Sequence, residues 1–167
     1  MKKLVVYGLP RSGTNYLEFL VRQNLQCIYD PGERECEYFD GTINAVKHCK
    51  PDANDGDVFV FLVRNRWDFI TSFNNYQHWP DEPRVWEREY DPQDLFYSFI
   101  TDMTEFRNKM KELVFVAYHE DILENEYAVI SAISKQFDIP MNKHFITTRY
   151  RMGERSGTVV TDQIFRP

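Results

Sequence analysis

No apolar run in this 167-residue sequence approaches the ~20 residues a helix needs to cross a bilayer. Cysteine is scarce. Cys27, Cys36 and Cys49 are odd in number and show no C-x-x-C spacing, which argues against a disulfide framework and reads as reduced structural thiols. Cys36, His48 and Cys49 are of zinc-ligand type, but a tetrahedral site needs a fourth ligand and a tighter pattern. Positive charge is in deficit, with 20 Lys and Arg against 26 Asp and Glu and a net charge of −6. A nonspecific nucleic-acid binder is therefore not expected, and any polyanion site must be locally basic. Internal repeats, low-complexity segments and linkers are lacking as well. Met1 to Leu9 is too short for a signal peptide and runs directly into a glycine loop, so the expected location is cytoplasmic.

What is present supports one packed domain over residues 1–167, with 43% hydrophobic and 16% aromatic residues. Lys3 to Tyr7 reads as a short buried strand. Gly8 to Gly13 reads as a loop, and Thr14 to Gln26 as a helix with Leu17, Leu20, Val21 and Leu25 on one stripe. Thr42 to Lys47 reads as a second strand. Val58 to Val63, six consecutive apolar residues, suits a central parallel strand covered on both faces. Arg66 to Tyr76, Gln93 to Lys111 and Asn125 to Phe137 read as helices, and Leu113 to Tyr118 as another buried strand. Gln77 to Pro92 is acidic and aromatic with three prolines, an extended excursion. From Asp138 onward no strong periodicity survives. This alternation predicts an α/β fold: a central parallel sheet flanked by helices in three layers, as in P-loop NTPases. Ligands on such sheets bind at the carboxyl ends of the strands.

Strand, glycine loop and helix together read either as a phosphate cradle or as an ordinary tight turn between a strand and a helix. Backbone N–H groups and a helix N-terminus converge there, with hydroxyls from Ser12 and Thr14 and fixed charge from Arg11. The Gly8-x-x-x-x-Gly13 spacing matches a Walker A loop, but Thr14 stands where that motif has lysine. Lys47-His48 reads either as a cation and a general base beside the cradle or as a solvated strand-end pair. Arg64, with Ser72 eight residues on, reads either as a second phosphate site or as a surface charge and a routine helix residue. Arg149 to Gly157 reads as a basic flap over an anion or as a basic tail.

Together these pieces resemble the sulfotransferase superfamily, which uses 3′-phosphoadenosine 5′-phosphosulfate (PAPS) as sulfuryl donor. Gly8-Leu9-Pro10-Arg11-Ser12-Gly13-Thr14-Asn15 is similar to the family's 5′-phosphosulfate loop, with Arg11 in place of its lysine. Arg64 through Ser72 and Tyr76 is similar to its 3′-phosphate motif, and Val46-Lys47-His48 to the segment carrying its catalytic histidine. Val116 to Ile122 is similar to its strand ending in Tyr-Glu-Asp, except that His119 precedes the acidic pair. Arg151-Met152-Gly153 resembles its late loop over the 3′-phosphate, with Met152 in place of lysine.

The resemblance implies in-line transfer of a sulfuryl group to a hydroxyl or amine of a small-molecule or glycan acceptor, with no metal because protein cations do the neutralising. It assigns Arg11, Ser12, Gly13, Thr14 and Asn15 to the 5′-phosphosulfate, and Arg64, Ser72, Arg151 and Gly153 to the 3′-phosphate end. Lys47 and Arg11 stabilise the leaving phosphate, and His48 takes the acceptor's proton. The excursion carrying Trp79, Trp86 and Tyr90 reads as an acceptor lid or as an ordinary surface loop. Two rival readings stand beside this one: a nucleotide-dependent kinase or NTPase, and a non-catalytic nucleotide-binding protein on the same fold.

Overall fold

The computed structural model describes residues 1–30, 36–39, 46–77, 89–149 and 160–163. Three strands, β1 (Leu4–Tyr7), β2 (Val58–Val63) and β3 (Val114–Tyr118), form a parallel sheet in the order β1-β2-β3. Val6 lies opposite Val60, and Phe61 opposite Val116. The helices are α1 (Thr14–Asn24), α2 (Arg66–Gln77), α3 (Pro92–Met110), α4 (His119–Glu124) and α5 (Glu126–Phe137). None of the helices among the described residues is long and apolar enough to cross a membrane.

The three layers follow from the period of two along each strand. Val5, Tyr7, Phe59 and Phe61 point to one face and pack with Phe69 and Phe73 of α2 and Leu95, Phe99 and Phe106 of α3. Leu4, Val6, Val58, Val60 and Leu62 point to the other, against Leu17, Leu20 and Val21 of α1 and Ile130, Ile133 and Phe137 of α5. The continuous apolar run of β2 is explained by this arrangement, because both of its faces are covered. The aromatic residues concentrate on the first face, where the Phe61 ring stacks on Tyr7 at 5.3 Å and lies 5.7 Å from Phe106. α3 is the best-capped helix: Asp91 accepts from the amides of Gln93 and Asp94, and Pro92 opens the first turn.

Two expectations are corrected. The strand expected at 42–47 is not a strand where it is described; Val46–His48 is a single 3₁₀ turn, and residues 42–45 lie outside the described residues. The Cys49 amide bonds back to the Val46 carbonyl, three residues earlier, while the Lys47 carbonyl accepts from Gly8. The segment thus touches the end of β1 at one point and does not run along it. The tail after Asp138 is not wholly irregular either, since β4 (Ile146–Arg149) and β5 (Val160–Gln163) pair antiparallel. β4 is held by Asn24, a buried residue in the last turn of α1. Its side-chain amide donates to the Ile146 carbonyl at 2.7 Å and accepts from the Ile146 amide at 2.6 Å. A clasp made across 122 residues leaves no local pattern to read.

The excursion is described only at its ends, with residues 78–88, including Trp79 and Trp86, outside the described residues. Its foot is pinned to the core: the Gln77 side-chain amide makes a two-way bond with the Tyr90 backbone, and the Tyr90 ring meets Phe39 edge-on at 5.1 Å.

Phe61→Ala removes the ring at the centre of the aromatic face and is expected to destabilise the protein by about 3–5 kcal/mol. Urea unfolding followed by circular dichroism checks this. A loss below about 1 kcal/mol is the range of a surface substitution and would contradict the packing described.

Candidate functional site: an anion cradle beside a histidine

Gly8 leaves β1 where there is no room for a side chain. A Cβ there would lie 2.7 Å from Thr14 Cγ2 and 3.1 Å from the Leu62 carbonyl oxygen. The next four residues form a turn in which both the amide and the hydroxyl of Ser12 donate to the Leu9 carbonyl, at 3.1 and 2.6 Å. Ser12 is buried and shapes the loop with its hydroxyl hydrogen. Arg11 and Gly13 both adopt positive φ, 69° and 95°. For Arg11 that conformation costs about 1–2 kcal/mol, which the surrounding turn supports.

α1 then begins at Thr14 with Gly13 as its N-cap, without a side-chain cap and without an acidic residue in its first turn. No described residue accepts from the amides of Gly13, Thr14 or Asn15. An uncapped helix start of this kind carries roughly half a positive charge and unsatisfied donors, which favours an anion.

The 3₁₀ turn is fastened to this loop in two directions. The Gly8 amide donates to the Lys47 carbonyl at 2.8 Å, and His48 Nδ1 lies 2.6 Å from the Gly8 carbonyl oxygen. Because that oxygen can only accept, Nδ1 carries the hydrogen and Nε2 keeps its lone pair. Burial lowers the His48 pKa to about 4; the bond to Gly8 raises it and the Lys47 charge lowers it further. The imidazole is therefore neutral at pH 7, the form that accepts a proton. Lys47 reaches back to the first turns of α1, with Nζ 2.6 Å from Asn15 Oδ1 and 2.9 Å from Glu18 Oε2. Glu18 also accepts from the Tyr29 hydroxyl.

Arg64 stands at the carboxyl end of β2 and faces the loop, with Nη1 donating to the Arg11 carbonyl at 2.8 Å. Its Nε is buried and has no hydrogen-bond partner among the described residues. A buried donor left unmade is costly, so the site has capacity for a further acceptor. The Arg11 guanidinium lies 5.1 Å from the ring centre of Tyr76. Tyr76 follows Ser72 by one helical turn, so the Arg11 charge sits beside the stripe of α2 that carries Ser72. Arg151 and Gly153 lie outside the described residues.

Sequence reasoning passed over His119 and Glu120 as site residues. Glu120 Oε1 accepts from the Asn65 amide at 2.8 Å and ties the end of β2 to α4. The His119 ring lies against Gly13, where an added Cβ would be 2.6 Å from Cδ2 and 3.0 Å from Nε2. The only signal in the sequence was the histidine inserted before the acidic pair, and its nearness to a loop a hundred residues earlier depends on the sheet register. Cys36, His48 and Cys49 do not form a ligand set: Cys36 donates its thiol hydrogen to the His48 carbonyl, while the imidazole turns to Gly8. Among the described residues, no three His, Cys, Asp or Glu side chains are grouped to hold a metal ion.

No protein-family model matches this chain, and no curated protein matches its sequence. Among solved structures, it is similar to the mouse sulfotransferase SULT7A1 complexed with PAP. The match covers 84% of this chain and 58% of that one, at 14% identity and a TM-score of 0.47. This chain spans less than two thirds of the length of the structure it resembles.

Proposed function

We propose that the protein binds PAPS and transfers its sulfuryl group to a hydroxyl or amine of a small-molecule or glycan acceptor. The observation that carries this reading is the bond from His48 Nδ1 to the Gly8 carbonyl, which joins a neutral base to the same turn that opens the anion cradle. The donor supplies a sulfuryl group on a phosphate leaving group, so the transfer itself requires positioning and charge stabilisation more than covalent help from the protein. The amides of Gly13, Thr14 and Asn15, without an acceptor among the described residues, receive the 5′ end. Lys47, held at the first turn of α1, and Arg11 offset negative charge on the departing phosphate. Arg64, with its spare buried Nε, and Ser72 hold the 3′-phosphate, with Arg151 and Gly153 closing over it. His48 Nε2 takes the proton from the acceptor's O–H or N–H.

The kinase and NTPase reading is less well supported. Thr14 follows Gly13, and Arg64 directly follows β2 where such enzymes place a magnesium-binding carboxylate.

Adenosine 3′,5′-bisphosphate is expected to raise the melting temperature more than ATP with magnesium does, since a ligand at 100 times its dissociation constant stabilises by about 2.7 kcal/mol. Arg64→Gln is expected to weaken bisphosphate binding about tenfold or more, the loss of one charge-assisted bond. A larger shift with ATP and magnesium would overturn the nucleotide assignment.

His48→Ala is expected to lower kcat for sulfuryl transfer about 100-fold or more while bisphosphate still binds. The wild-type kcat/KM should fall only as pH drops through about 4, because the free protein's His48 becomes protonated there and no earlier. An acid limb centred near 6.5 would place the base elsewhere.

A further inference from the structure

Among the described residues, His119 is the histidine near the cradle that the reading above leaves without a task. It opens α4, directly after β3, and the register that sets Tyr118 opposite Val63 brings it beside Arg64. Its ring occupies the space that a side chain at position 13 would need, with Nε2 3.0 Å from where that Cβ would stand. Gly13 is thus glycine for two reasons, its φ of 95° and the imidazole against it. The ring is half-buried, and no described residue makes a hydrogen bond to it. The amides of Gly13, Thr14 and Asn15, equally unpartnered among the described residues, begin at that same glycine.

The geometry points to His119 as a phosphate-binding residue of this site, its Nε2–H donating to an oxygen of the anion that the Gly13–Asn15 amides receive. This rests on the nucleotide reading given above and deepens it. It makes the position before the acidic pair part of the 5′ anion pocket, beside the glycine loop.

The charges around the ring define how the contact works. Burial lowers the His119 pKa most, and Arg64 at the end of β2 lowers it further; Glu120 on its own helix and Asp68 in the first turn of α2 raise it. The charged residue of the glycine loop is Arg11, whose guanidinium lies 5.1 Å from the ring centre of Tyr76 on α2. In the free protein the ring is therefore neutral at pH 7. An anion arriving at the loop favours the charged imidazolium, so its pKa rises in the complex. Binding then takes up a proton. Affinity increases as pH falls through the complex's pKa and levels off below that of the free protein.

The test is calorimetric titration with adenosine 3′,5′-bisphosphate at pH 6 and pH 8, in two buffers of different ionisation enthalpy, on the wild type and His119→Gln. The variant is expected to bind about tenfold more weakly at pH 6, with a smaller loss at pH 8 and less proton uptake. Ionisation of the ligand's own phosphates is common to both proteins and cancels in the comparison. His48 remains in both and cancels likewise. Equal affinity and equal proton uptake in wild type and variant would overturn the role of His119 while leaving the nucleotide site standing. Absence of any bisphosphate binding to the wild type would overturn both. If His119→Gln fails to fold, the wild-type His119 Cε1–H resonance is followed against pH with and without bisphosphate. A rise in its midpoint supports the contact, and an unchanged midpoint refutes it.

Discussion

The amides of Gly13, Thr14 and Asn15, which meet no acceptor among the described residues, are the constraint on which the rest of the candidate site depends. A helix start normally finds a serine, threonine, aspartate or asparagine side chain to accept from its first N–H groups. Here the cap is a glycine in the left-handed region, and the one hydroxyl inside the loop, Ser12, spends its hydrogen on Leu9. No described residue accepts from these donors, and the helix start is held in place by the core behind it. Leu9 is buried in front of the helix, and Leu17, Leu20 and Val21 anchor the helix itself.

Around that helix start, the protein brings in cations and bases from separate parts of the chain. Lys47 and His48 arrive on a short turn bonded to Gly8 in both directions, Arg64 from the end of the central strand, and His119 from the end of its neighbour. The cations serve two kinds of role. Arg64 and Lys47 also tie the framework together, through the Arg11 carbonyl and through Asn15 and Glu18. The imidazoles are kept neutral by burial, so that each is free to take up a proton when charge changes nearby. These cations gather at one end of one sheet in a protein whose net charge is −6.

Much of this was legible locally. The apolar run Val58–Val63, the Gly8 and Gly13 spacing and the stripe of α1 each lie within a dozen residues, and each dictates its own element. Arg64 at the end of the strand followed from the same reading. The turn at Val46–His48 was misread as a strand because three residues carry too little pattern to separate an i→i+3 turn from an extended segment. β4 was missed because its order comes from Asn24, buried far away in sequence. His119 was seen as an irregularity in a motif, and its position against Gly13 had no expression in the local sequence.

The sequence by itself therefore determined the class of fold, the cradle loop and the identity of the strand ends, because periodicity and glycine placement act over a few neighbouring residues. Only the tertiary structure decided which side chains meet there: that His48 turns its Nδ1 to Gly8, that Lys47 is drawn to α1, and that His119 lies on the loop. Those meetings are set by strand register and by contacts between distant segments, which no short window of residues encodes.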